Sequence, residues 1–115
     1  MKKINILVIG RHDLILNLLV DQLNQIENWE ARGTLEDEKA IELFHQYKFD
    51  FVVLGSGIPE ETQAKFRKLF RLQNPHINII QHAGGTSDKL EFHIRNLIEN
   101  QQNGSLNVLD NPFQA

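Results

Sequence analysis

A chain of 115 residues with 41% apolar and 23% charged residues has the size and composition of one globular domain with a single core. A net charge of −3 and a pI near 5.9 argue against a general nucleic-acid or anionic-membrane binder. With no cysteine there is no disulfide or thiolate metal site, and no apolar run approaches a membrane span or a signal peptide, so the expectation is a soluble, cytoplasmic protein of one domain over 1–115.

In chain order, Lys3–Ile9 (KINILVI) is an uninterrupted apolar run that predicts a first strand, ended by Gly10-Arg11-His12-Asp13. Asp13 is placed to cap the helix that follows. In that helix Ile15, Leu19, Leu23 and Ile26 recur at helical spacing and predict its buried stripe. Trp29–Thr34 (WEARGT) alternates weakly and reads as an edge strand loosened by Gly33. Glu36–Tyr47 predicts a second helix, with Ala40, Leu43, Phe44 and Tyr47 on one face and acids at its positive end.

Phe51, Val52, Val53 and Leu54 follow Asp50 without polar alternation and stop at Gly55-Ser56-Gly57. A run of this kind predicts a strand buried on both faces, in the middle of a parallel sheet. Pro59, Glu60 and Glu61 then open a third helix with Phe66, Leu69, Phe70 and Gln73 on one face, and Asn74-Pro75 ends it. Ile77–Gln81 predicts a fourth strand. Past Gly84-Gly85-Thr86-Ser87, Leu90, Ile94, Leu97 and Ile98 give a helix over Asp88–Asn100 its stripe. Asn103-Gly104 turns the chain into a short fifth strand, Leu106–Leu109, ended by Asp110-Asn111-Pro112. This alternation predicts an α/β, three-layer αβα sandwich around a five-stranded parallel sheet of order 2-1-3-4-5, the flavodoxin-like arrangement.

Four strand–turn junctions in register make the chain resemble the receiver domain of two-component response regulators. ILVIGRHDLI (Ile6–Ile15) is similar to that family's first strand and turn. FDFVVLGSGIP (Phe49–Pro59) is similar to its third, INIIQHAGG (Ile77–Gly85) to its fourth, and VLDNPF (Val108–Phe113) to its fifth. The resemblance puts the family's Mg²⁺-binding acidic pair on Gly10 and Arg11 and its phospho-acceptor aspartate on Gly55. It puts the phosphoryl-sensing hydroxyl on His82 and the conserved-turn lysine on Asn111. All five depart from the family pattern, and Pro112 and Phe113 keep it.

Phosphoryl transfer to a receiver needs a carboxylate nucleophile and a hard cation held by oxygen ligands. A glycine at 55 has no group to phosphorylate, and Arg11 repels a cation. Asp13 is read first as a helix cap, with a displaced metal ligand as the alternative. Asp50 lies at the far end of its strand and cannot substitute. The resemblance therefore implies a degenerate pseudo-receiver with no catalytic residue, no cofactor and no metal.

Other constellations point less sharply. The five histidines include no HxH or HxxxH pair, so no metal site has local support. Exposed loop histidines at His12 and His82 are the plain expectation, and a phosphoryl-relay role for His82 is the remote one. The glycine-rich turns offer a second reading of the molecule. Arg11, Ser56, Gly57, Gly84, Gly85 and Thr86 could cradle a small anion or a nucleotide in a Gly10/Gly55/Gly84 crevice, whereas tight strand-to-helix turns explain the same glycines. Lys65, Arg67, Lys68 and Arg71 form a basic stripe expected to be solvated or paired with acids.

Two residues follow Phe113, too few for the last helix of a receiver. Val52–Leu54 is then expected to be only half covered on the side of the first helix. This predicts a homodimer or a partner protein over that face, with Phe92 as a second contact, and no nucleic acid or membrane. The sequence thus predicts a non-enzymatic signalling domain acting by protein contact, with the anion-binding module as its alternative.

Overall fold

A computed structural model describes residues 3–82 and 87–102. The chain divides into two compact units, Met1–Gly85 and Thr86–Ala115. The first contains β1 (Ile4–Ile9), α1 (Asp13–Asn24), β2 (Trp29–Thr34), α2 (Asp37–Gln46), β3 (Phe51–Leu54), α3 (Glu60–Gln73) and β4 (Asn78–Gln81), and the second contains α4 (Ser87–Gln102). The sheet is parallel with strand order β2-β1-β3-β4, which is the expected order for the first four strands. The expected fifth strand (106–109), the turn with Asn111, Pro112 and Phe113, and the glycine turn with Gly84, Gly85 and Thr86 lie outside the described residues.

Pairing register decides which side chains share a face. Leu7 lies opposite Val52 and Ile9 opposite Leu54, while Ile6 and Val8 pair with Phe51 and Val53. The first set packs with Ala40, Leu43, Phe44, Phe66 and Phe70 of α2 and α3 in one core. The opposite face meets α1. At Gly33 a Cβ would come within 2.7 Å of a Val20 methyl and 3.1 Å of Leu16. Gly33 therefore does more than loosen an edge strand: its missing side chain lets α1 lie close on β2. Phe51, Val52, Val53 and Leu54 are all buried, as a central strand requires. The expected half-bare face does not fall on β3.

Several local expectations are corrected. Asp13 does not cap α1. The N-cap is His12, with no side-chain capping bond, and Asp13 begins the helix, where its carboxylate accepts from the Asn17 amide at 2.9 Å. The buried positions of α1 are Leu16, Leu19 and Leu23, so Ile15 faces outward. LILNLLV carries apolar residues nearly all round the helix, and periodicity alone cannot choose the row that meets the sheet. Tyr47 lies past the end of α2 and is exposed, with the Arg32 guanidinium 4.0 Å over its ring. On α3 the buried positions are Gln63, Phe66 and Phe70. Leu69 is half-buried, and exposed Gln73 contacts His45 at 3.1 Å. In α4 Leu90 and Ile94 are buried, while Leu97 and Ile98 are partly so.

Candidate functional site

The carboxyl ends of β1, β3 and β4 bring Gly10, Arg11, Gly55, Ser56, Gly57 and His82 to one edge of the sheet, the edge where open α/β folds place their ligands. Hydrogen bonds continue the strand ladders into this edge. The Gly10 N–H donates to the Thr34 carbonyl (3.1 Å), the Gly55 N–H to Ile9 (2.8 Å) and the His82 N–H to Leu54 (2.9 Å). The first two glycine donors are thus already bonded within the sheet.

Arg11 crosses the edge sideways. One guanidinium nitrogen donates to the carbonyls of Gly10 (3.2 Å) and Leu35 (3.1 Å), and the other reaches the Asp37 carboxylate at 2.6 Å. The turn after β1 is thereby tied to the turn after β2 and to the first turn of α2. Both partners keep solvent access, so the pair contributes on the order of 1 kcal/mol or less. Its consequence is conformational, because three acceptors fix where a planar fork can lie. Asp37 was not among the expected site residues. Its signal was present in the strand order: adjacent parallel strands bring the residues that follow them to the same edge.

The β3–α3 turn leans on the stem of Arg11. Gly57 has φ +88°, in the left-handed region, and a Cβ there would lie 3.3 Å from Arg11 Cβ. Gly55 has ordinary backbone, and a Cβ on it would meet the Ile9 carbonyl at 3.2 Å. Ser56 and Gly57 are exposed. Buried Gln63 donates its amide to the Ile58 carbonyl at 2.9 Å, fastening the turn to α3. Asp50 is at the other end of the sheet, where it accepts the Asn5 N–H at 2.9 Å. Among the described residues no group of three or more His, Cys, Asp or Glu side chains is arranged to hold a metal ion. No helix among them is long and apolar enough to cross a membrane.

The fold defined by this sheet and edge is that of receiver domains. The chain superposes on the signal receiver domain of an HD domain-containing protein from Pseudomonas fluorescens Pf-5 with a TM-score of 0.62. The match covers 89% of this chain and 99% of that one, at 14% sequence identity. At that identity the likeness is one of fold. No protein-family model matches the sequence, and no curated protein matches it.

Proposed function

We propose that this chain is a receiver-like signalling domain that does not accept a phosphoryl group, performs no catalysis and acts through protein–protein contacts. The observation that carries this reading is the lie of Arg11. At the edge where a receiver gathers carboxylates around a cation, this chain sets a guanidinium and binds it internally to Asp37 and two carbonyls. A fixed positive charge at that position opposes a divalent cation through the same Coulomb term that carboxylates would use to attract one. Gly55, at the end of β3, offers no nucleophile.

The anion-binding alternative draws less support. It relies on backbone donors and on Arg11, yet the Gly10 and Gly55 N–H groups are bonded in the ladder and Arg11 is held by Asp37. An anion at Ser56 and Gly57 has to draw the guanidinium off a carboxylate 2.6 Å away.

Incubation of the full chain with acetyl phosphate and Mg²⁺, followed by intact-mass measurement, is expected to show no added phosphoryl group. A covalent phosphoryl adduct on any residue of this edge would overturn the proposal.

A further inference from the structure

Helix α1 has two apolar rows. Leu16, Leu19 and Leu23 face the sheet, whereas Leu14, Ile15 and Leu18 are 84%, 61% and 59% exposed. Leu14 and Leu18 are four residues apart and Ile15 and Leu18 three, so these side chains form one continuous outward row. Exposed Asp21 continues it. The helix contains Asp13 and Asp21 and no base.

Helix α3 is the converse. Its outward residues include Ala64, Lys65, Lys68, Arg71 and Leu72, the last 75% exposed, and its acids are confined to Glu60 and Glu61 in the first turn. Ala64, Arg67, Lys68, Arg71 and Leu72 line a shallow groove. Lys3, Arg11, Arg32, Lys39 and Arg95 each hold an acid, but among the described residues no ion pair involves Lys65, Arg67, Lys68 or Arg71. One surface is apolar and acidic, the other basic with apolar ends.

The two rows cannot meet within one molecule. The core shared by α2 and α3 contains Leu7, Ile9, Val52 and Leu54 and no residue of α1, which lies on the opposite face over Gly33. A second copy can bring them together. We propose that the outward row of α1 docks on the outward row of α3 of another copy, head to tail. Leu14, Ile15 and Leu18 then cover Ala64, Leu72 and the aliphatic stems of Lys65 and Lys68, with Asp13 and Asp21 facing Lys68 and Arg71. This rests on the reading of the chain as an interaction domain and names its partner. Charge decides against the simpler two-fold pairing of α1 with α1, which crowds aspartates together with no counter-charge. A heterologous contact leaves one α1 row and one α3 row free at the ends, so copies add until a ring closes.

Sedimentation velocity of the full chain across the micromolar range is expected to show mass rising with concentration, and less so at high salt. Ile15→Ser with Leu18→Ser disables α1, and Lys68→Glu with Arg71→Glu disables α3. All four positions are exposed or partly so, and circular dichroism checks that each variant folds. Each variant alone is expected to be monomeric, its association weakened at least about tenfold. An equimolar mixture is expected to form a one-to-one dimer and nothing larger, because only one intact α1 row and one intact α3 row remain. A wild-type monomer throughout the range, or an α3 variant that self-associates like wild type, overturns the proposal. Neither result adds a phosphoryl group, so the acetyl phosphate experiment judges the underlying reading separately.

Discussion

Arg11 shows how one side chain can tie three turns of a sheet edge together. Its side chain runs from the end of β1 toward α2 and ends in an ion pair with Asp37. Its stem packs beside Gly57, whose positive φ an L side chain adopts only at a cost of about 1–2 kcal/mol. Gly57→Ala is therefore expected to lower the urea stability by about that amount, with an unchanged m-value. Glu30 supplies a pH-dependent contribution. The hydrogen bond from Lys3, then the charge of Lys3, and more weakly Arg32, hold its carboxyl below the ordinary carboxylate range. The unfolded chain thus binds this proton more readily, and the contribution is present at neutral pH. It is lost as pH falls through the depressed folded-state value. Glu30→Gln should flatten the acid limb of stability against pH, measured by urea titration.

At the scale of elements, α2 and α3 are joined mainly by aromatic rings. Phe70 lies 4.3 Å from Phe44 and 5.4 Å from Phe66, centroid to centroid, and both Phe66 and Phe70 are fully buried. Truncating the shared ring leaves a cavity between two helices and β3. Phe70→Ala is expected to cost about 3–5 kcal/mol, seen as a large drop in the thermal midpoint. Leu72→Ala, two positions on but exposed, should barely move it. The cores of these helices were legible from Ala40, Leu43, Phe44, Phe66 and Phe70 at helical spacing, though Tyr47 and Gln73 fall outside the buried faces, and the strand between them from its unbroken apolar run. Helix α1 was less so. Ile15 and Leu16 are both apolar and adjacent, and only the space above Gly10 and Gly33, where Leu16 fits, chooses between them.

For the whole molecule, parallel pairing in the order β2-β1-β3-β4 gathers the residues after every strand at one edge and separates α1 from α2 and α3. The first consequence builds the candidate site, joining Arg11 to Asp37 across 26 positions of chain. The second leaves an acidic apolar row and a basic row pointing in opposite directions, the arrangement from which head-to-tail association is inferred. The shared edge was expected from the strand order, but the Arg11–Asp37 contact and the two exposed rows could not be assigned from spacing, since they depend on which side chains the sheet brings together.

The amino-acid sequence by itself determined the alternation of strands and helices, the buried central strand and the residue types at the strand ends, Gly10, Arg11 and Gly55 among them. These follow from local periodicity and side-chain chemistry, which need no knowledge of distant neighbours. Only the tertiary structure decided that Arg11 is held by Asp37, that the Gly10 and Gly55 amides are bonded into the ladder, and that Leu14, Ile15 and Leu18 face outward. Partner choice depends on distances that close only when the sheet forms, and an arginine in a turn carries no local sign of which acceptor it will meet.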